Sequence, residues 1–150
     1  MLIAGVCNPR GECPGYNGLY LTSKELVDVA ATMRGAPVKA EHSGVVLGAV
    51  VSGFVASDGA LNCVVRLDET LEGEIVRGLV RDGVASDFSL GYHVDVTHSD
   101  KRLVAGKKTL LEVSVVRRGA RQGCHIMAYA EDKSDAVHVR RDPWFAFSMR

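Results

Sequence analysis

Short apolar runs, many of them rich in valine and broken by Gly, Asp and Ser, dominate the 150-residue chain. Runs 45–56 and 60–67 are separated by Ser57-Asp58-Gly59. An Asp-Gly step suits the tight turns that join antiparallel strands, so this pattern predicts a β-hairpin. The remaining runs predict an extended segment at 37–40, strands at 2–6, 86–96, 109–116 and 124–130, and a polar loop at 97–107.

Two segments carry apolar residues at helical spacing. The first begins at Thr22 and Glu25, which match a capping box, and ends at Gly35. The second ends at Gly83, and we expect Asp68 to cap its start. Strands that follow strands without regular helical crossovers argue against a doubly wound parallel sheet. The pattern therefore predicts a mainly β protein with a few helices, built as a barrel or a sandwich.

The composition is that of an ordinary globular protein, with 47% apolar residues, 24% charged residues and no net charge. We expect one domain over 1–150, which is long enough to bury roughly 70% of its unfolded surface. Neutral charge and 6% aromatic residues do not favour a nucleic-acid groove. No apolar run approaches the roughly 18 residues that cross a bilayer, and the first residues lack the charged start of a secretory signal. We therefore expect neither a nucleic-acid nor a membrane partner.

The four cysteines are Cys7, Cys13, Cys63 and Cys124. They form no C-x-x-C pair and have no histidine at zinc-ligand spacing, so we expect no metal and no other cofactor. A chain of this length needs no disulfide to fold, and we expect reduced, mostly buried thiols.

Ser89 is the first candidate for chemistry. It lies between Phe88 and Leu90, and Gly91 follows, which removes a side chain where a substrate backbone could approach. A serine on the solvent face of an edge strand would have the same neighbours, so both interpretations stay open. Because Asp87 stands two residues before it, where a nucleophile elbow has glycine, this is not an α/β-hydrolase motif.

A serine nucleophile needs a base, and histidine is the usual one. His93 shares a strand face with Ser89, but four residues span about 13 Å at strand rise, which is too far for a hydrogen bond. His42 follows the extended segment 37–40 and is the best placed by elimination. The other three lie in charged stretches or after a loop: His98, His125 and His138.

Glu112 is a carboxylate inside the otherwise apolar run 110–116. Burying it without a partner would be costly, so it either pairs with another group or faces water together with Ser114. A paired carboxylate could orient an imidazole, as the acid does in a Ser-His-acid triad. The loop 117–123 has two glycines and three arginines and could direct donors at an oxyanion, although a solvated basic turn is equally compatible with it.

Taken in order, these features resemble the herpesvirus-type capsid maturation proteases, the assemblins, and the related tailed-phage prohead proteases. The resemblance covers most of the chain. It is carried by Ile3-Ala4-Gly5, by Pro37-Val38-Lys39-Ala40-Glu41-His42, by Phe88-Ser89-Leu90, by Glu112-Val113-Ser114-Val115-Val116 and by Gly119-Ala120-Arg121-Gln122-Gly123.

The resemblance implies a closed or partly open barrel of about seven, mostly antiparallel strands flanked by helices. It implies a serine endopeptidase with Ser89 as nucleophile, His42 as base and Glu112 as third member. The matching loop implies an oxyanion hole made by the backbone N–H of Ala120 and by Arg121.

The third member is the point at which the chain departs from the assemblins, which have a second histidine there. Glu112 matches the phage branch instead. An alignment shifted by three residues would place Thr109 at this position, with Arg117-Arg118 in the loop, and would leave Glu112 without a role.

The resemblance further implies cleavage of a capsid scaffolding protein, and of the enzyme's own precursor, after a small residue such as Ala. It places the protein inside the procapsid, in the host nucleus for a herpesvirus or the bacterial cytoplasm for a phage. The assemblins form a homodimer through C-terminal helices, and no such helices are evident after residue 130. We expect the segment Asp142-Pro143-Trp144-Phe145 to form a small apolar anchor.

Two rival interpretations remain at this point. A non-enzymatic β-barrel module for capsid assembly would explain the strands and leave Ser89 unreactive. A hydrolase of another class, such as an esterase, would keep the triad and change the substrate.

Overall fold

The computed structural model describes residues 1–132 and 136–140, which form eight β-strands and two α-helices. The strands are β1 (Leu2–Asn8), β2 (Pro37–Ala40), β3 (Gly48–Val55), β4 (Leu61–Leu67), β5 (Asp87–Ser99), β6 (Arg102–Val116), β7 (Ile126–Ala130) and β8 (Val137–Val139). The helices are α1 (Ser23–Thr32) and α2 (Leu71–Arg81). All strands belong to one sheet in the order β5-β6-β2-β3-β4-β1-β7-β8.

The predicted hairpin and the first predicted helix are confirmed. Strands β3 and β4 pair antiparallel, and Gly59 between them has a φ of +84° that glycine adopts without strain. Helix α1 starts with the predicted capping box. The N–H of Glu25 donates to Thr22 Oγ1 at 3.1 Å, and the N–H of Thr22 donates to Glu25 Oε1 at 3.0 Å.

The predicted cap of the second helix is wrong. Thr70, not Asp68, is the N-cap of α2, and its Oγ1 accepts the N–H of Gly73 at 3.0 Å. Asp68 is exposed, and its carbonyl oxygen accepts a bond from the buried Arg77 at 2.8 Å. Asp and Thr are both good N-caps, so the sequence pattern could not choose between two positions so close together.

The predicted polar loop at 97–107 is also wrong, because β5 and β6 continue through it as a long hairpin. Ser99 pairs with Arg102 across a two-residue turn. The turn residues Asp100 and Lys101 have φ values of +47° and +65°, as the tightest hairpin turns require. This arm is exposed on both faces, so it lacks the apolar alternation that marks a half-buried strand.

The sheet differs from the expected barrel of about seven mostly antiparallel strands. It has eight described strands, it is mixed because β2 and β6 run parallel, and it is not closed into a barrel. One isolated bridge from Asp87 to His125 brings the start of β5 beside the start of β7. The mainly β architecture with two helices is confirmed.

The core lies between one face of the sheet and the two helices. Its members are fully buried apolar side chains from all parts of the chain, among them Ile3, Leu26, Met33, Val65, Val80, Phe88 and Val113. All four cysteines are free thiols, and Cys7, Cys63 and Cys124 are buried. Neither of the two described helices is long and apolar enough to cross a membrane. The predicted apolar anchor at 142–145 lies outside the described residues.

Replacing Thr70 with Ala should lower the free energy of unfolding by roughly 1 kcal/mol, because the N–H of Gly73 loses its capping partner. Urea denaturation monitored by circular dichroism measures the change. Asp68→Ala is the matched control and should cost less than half as much. A larger loss for Asp68→Ala than for Thr70→Ala would contradict the assigned cap.

Candidate active site

The pairing of β5 with β6 brings polar side chains onto one face of two neighbouring strands. Ser89 lies directly opposite Ser114, and Gly91 lies opposite Glu112. Because successive side chains in a strand alternate between faces, all four positions share a face. The alternate positions Phe88, Leu90 and Val113 are buried in the core.

His42 reaches this face from the end of β2, which runs parallel to β6 with Ala40 opposite Val115. Glu41 and His42 follow directly and have backbone φ values of +49° and +55°, which residues other than glycine rarely adopt. The backbone N–H of Glu41 bonds to Val115 O at 3.2 Å, and that of His42 bonds to Ser114 Oγ at 3.0 Å. These bonds hold a strained turn that directs the imidazole towards β5.

The three side chains form one hydrogen-bonded series. His42 Nε2 lies 2.9 Å from Ser89 Oγ, and His42 Nδ1 is hydrogen-bonded to Glu112 Oε1. The second carboxylate oxygen of Glu112 accepts a bond from Ser114 Oγ at 2.7 Å. Ser114 therefore links the backbone of His42 to the carboxylate of Glu112.

The burial of Ser89 and Glu112 decides whether these side chains face solvent, which the sequence left open. Ser89 is 4% exposed and Glu112 is 6% exposed, so neither lies on a solvated face. Ser114 is fully buried beside them. Thr109, the alternative third member, is exposed and pairs with His93 farther along the hairpin.

Gly91 lies against the carboxylate of Glu112. A Cβ placed there would overlap the carboxylate of Glu112, with Glu112 Cγ only 3.0 Å away. The missing side chain therefore makes room for Glu112. Any side chain at position 91 would displace the carboxylate that is bonded to His42.

The other histidines lie elsewhere. His93 Nε2 is 3.2 Å from Asp95 on the exposed hairpin. His98 and His138 are exposed. His125 Nδ1 lies 3.0 Å from Asp87 Oδ1, two residues before Ser89 along β5, and no pattern in the sequence predicts this pair.

The loop 117–123 passes close to β5, the strand that carries Ser89. Gly119 packs so tightly that a Cβ there would lie 2.9 Å from Phe88 O, and its N–H donates to Asp87 Oδ2 at 2.7 Å. Arg121 is 5% exposed and donates to three acceptors: Cys13 O at 3.1 Å, Leu19 O at 3.2 Å and Tyr92 Oη at 2.9 Å. Arg121 thus ties the loop to the segment 13–19.

Two cavities adjoin this loop, and both are lined by Gly15, Tyr16, Ala120 and Arg121. One has a volume of about 470 Å³ and extends to Asp87, Arg118 and His125. The other, of about 310 Å³, extends along β5 past Leu90, Gly91 and Tyr92. Ser89 does not line either cavity, but the second one reaches its sequence neighbour Leu90.

Two of the buried cysteines are poorly suited to act as nucleophiles. Burial raises the pKa of the Cys7 thiol well above its ordinary value and raises the pKa of Cys124 to about 12. A thiol needs its deprotonated form to attack, so both are inert near neutral pH. Within 1–132 and 136–140, no group of three His, Cys, Asp or Glu side chains could hold a metal ion.

The arrangement has the parts that nucleophilic catalysis by serine requires. A hydroxyl at 2.9 Å from an imidazole nitrogen can pass its proton to that ring. A carboxylate on the other ring nitrogen favours the tautomer that accepts the proton and stabilises the imidazolium that results.

The chain shares its fold with the protease of Kaposi's sarcoma-associated herpesvirus. A crystal structure of that protease in complex with a dimer disruptor matches with a TM-score of 0.52 and 19% identity, over 81% of this chain and 72% of that one. A complex with an allosteric inhibitor matches at 0.49 and 17% identity, over 83% and 75% of the two chains. No family model and no curated protein matches the sequence.

At 19% identity the first of these matches shows the fold alone, and that fold is assemblin-like. The herpesvirus part of the resemblance seen in the sequence is thereby supported at the level of the fold. The relationship to the phage prohead proteases stays a prediction.

Replacing Ser114 with Ala should lower the free energy of unfolding by about 1–3 kcal/mol. The reason is that the N–H of His42 and one oxygen of Glu112 both lose their partner in a buried place. Urea unfolding measures the loss. Ser57→Ala, in the turn between β3 and β4, should change it by less than about 0.5 kcal/mol. If Ser114→Ala left the free energy of unfolding unchanged, the serine would not hold the carboxylate.

Proposed function

We propose that this protein is a serine endopeptidase in which Ser89, His42 and Glu112 form the catalytic triad. The observation that carries the proposal is the continuous hydrogen-bonded series from Glu112 through His42 to Ser89, in a chain with an assemblin-like fold. Glu112 takes the place that a second histidine occupies in the assemblins, and a carboxylate stabilises the imidazolium more strongly than a neutral imidazole does.

In the proposed mechanism His42 Nε2 removes the proton from Ser89 Oγ as the oxygen attacks the carbonyl carbon of the substrate. The new C–O bond gives a tetrahedral oxyanion, and the imidazolium then donates the proton to the leaving amine as the C–N bond breaks. Water, activated by the same ring, hydrolyses the acyl-enzyme and restores Ser89. Glu112 keeps its negative charge throughout and orients the ring through Nδ1.

The loop 117–123 is proposed to bind the oxyanion. The backbone N–H of Ala120 is the first donor, because Ala120 lies at the wall shared by the two cavities beside β5. Arg121 uses Nε and one terminal nitrogen in its three bonds, so its contact with the oxyanion, direct or through water, falls to the other terminal nitrogen.

The proposed substrate is a viral scaffolding or capsid-assembly protein, together with the enzyme's own precursor, cut after a small residue during procapsid maturation. We place the enzyme inside the procapsid. We also propose a homodimer, since the fold neighbour is a protease that was crystallised with a dimer disruptor. Activity per molecule that rises with protein concentration would support this, and constant activity over a dimer-to-monomer dilution would contradict it.

The first test is covalent labelling with a small fluorophosphonate, which suits a serine that is only 4% exposed. Wild-type protein should be labelled once, at Ser89, as intact-mass and peptide analysis would show. Ser89→Ala should abolish the label, and Ser114→Ala should keep it at reduced rate. Absence of labelling in concentrated, folded wild-type protein would favour a non-enzymatic assembly module.

The second test concerns the third member. Glu112→Gln should lower kcat by about 10³–10⁴-fold, because the amide favours the wrong tautomer and cannot stabilise the imidazolium. Thr109→Val is the matched control on the same strand, and its kcat should stay within twofold of wild type. An active Glu112→Gln beside an inactive Thr109→Val would transfer the role to Thr109.

The third test separates a protease from an esterase. Incubation with a scaffolding protein from the same genome should release fragments of defined mass, with a small residue at each new C-terminus. Ser89→Ala must release none. Hydrolysis of p-nitrophenyl acetate without any cleavage of the scaffolding protein would assign a hydrolase of another class.

A further inference from the structure

Asp87 is a buried carboxylate on the strand that carries Ser89. In the sequence it mattered only because a nucleophile elbow would have glycine at this position. Alternation along β5 places it on the same face as Ser89, two residues away. It is 9% exposed, so its charge requires several donors. The proposed triad makes no use of it.

The donors to Asp87 come from the loop 117–123 and its surroundings. Its Oδ2 accepts the N–H of Gly119 at 2.7 Å, in the middle of the loop. Its Oδ1 lies 3.0 Å from His125 Nδ1, just after the loop, and 3.1 Å from the hydroxyl of Ser86. A carboxylate that accepts a backbone N–H makes a stronger bond than a neutral acceptor does.

The two ends of the loop are held by other groups. At its start, the N–H of Arg117 donates to Glu41 Oε1 at 2.7 Å, and Ser86 Oγ lies 3.1 Å from Arg117 O. Just past its end, the N–H of Phe88 donates to Cys124 O at 2.8 Å. Between these anchors, Asp87 fixes the backbone at Gly119, immediately before Ala120.

We infer that Asp87 is a positioning residue for the oxyanion hole, an inference that rests on the proposed function. The bond from Asp87 fixes the peptide group that ends at the N–H of Gly119. Gly119 itself is wedged, because a Cβ there would lie 2.9 Å from Phe88 O and 3.0 Å from Cys124 Cβ, so the backbone that leads into the N–H of Ala120 has little room to move. His125 holds the carboxylate in turn. The strand that carries the nucleophile thereby also sets the position of the oxyanion donor relative to Ser89.

The test compares Asp87→Ala and Asp87→Asn with wild type on p-nitrophenyl acetate and on its thiono analogue. Sulfur accepts hydrogen bonds poorly, so the oxygen-to-sulfur ratio of kcat/KM reports the oxyanion hole. Asp87→Ala should lower kcat/KM for the oxygen ester by about 10²-fold, the usual effect of losing one oxyanion donor, and reduce the ratio. A merely structural role would lower both rates together.

Asp87→Asn keeps an acceptor for the N–H of Gly119 without the charge, and should cost only about 3- to 10-fold, with a smaller fall in the ratio. If the alanine variant does not fold, the oxygen-to-sulfur ratio of Asp87→Asn alone tests whether Asp87 positions the oxyanion hole. Asp95→Ala is the matched control on β5, since Asp95 is also bonded to a histidine but lies on the exposed hairpin. It should stay within twofold of wild type.

An unchanged oxygen-to-sulfur ratio in an active Asp87→Asn or Asp87→Ala variant would overturn the inference and leave the proposed function standing. A wild-type protein that neither hydrolyses the ester nor takes up fluorophosphonate would overturn both. Amide hydrogen exchange gives a second readout. Exchange at Gly119, whose N–H is bonded to Asp87, should accelerate by about tenfold or more in Asp87→Ala and stay unchanged in Asp95→Ala, and unchanged exchange in Asp87→Ala would also contradict the inference.

Discussion

The buried carboxylate of Glu112 constrains the whole arrangement. A charged group at 6% exposure is tolerated only where hydrogen-bond donors surround it, and these come from β6 itself and from the turn after β2. Ser114 lies on the same strand, His42 follows β2, and Gly91 on β5 leaves the space that the carboxylate fills. β6 must therefore lie between β5 and β2, which is the order that the sheet has.

The turn after β2 shows what holding this carboxylate costs. Two successive non-glycine residues, Glu41 and His42, have left-handed φ values, each unfavourable by about 1–3 kcal/mol. Backbone bonds to Val115 and Ser114, and the bond from the N–H of Arg117 to Glu41 Oε1, offset this strain. An extended backbone at residue 42 would continue β2 along β6 instead of turning the imidazole towards Ser89.

What the sequence could predict is local, and what it could not predict depends on distant pairing. The capping box at Thr22 and the turn at Gly59 use neighbouring residues, and both are found. The parallel pairing of β2 with β6 joins four residues to a strand more than 70 positions away, which no short pattern encodes. Residue chemistry and family resemblance predicted the candidate side chains Ser89, His42 and Glu112. They did not predict that Ser114 bonds to Glu112 and to the N–H of His42, because this depends on the register that places Ser114 opposite Ser89.

Two pairs of a carboxylate and a histidine lie at β5, one with its carboxylate on β5 and the other with its carboxylate on the neighbouring β6. Such pairs are hard to interpret from sequence because their local chemistry is so similar. Glu112 and Asp87 are both buried, and each lies beside an imidazole. They differ in their remaining partners, since the ring bonded to Glu112 also contacts a hydroxyl, whereas Asp87 itself holds a backbone N–H. The first arrangement can move a proton and the second holds a loop backbone, so the chemistry of each pair depends on the third group that it touches.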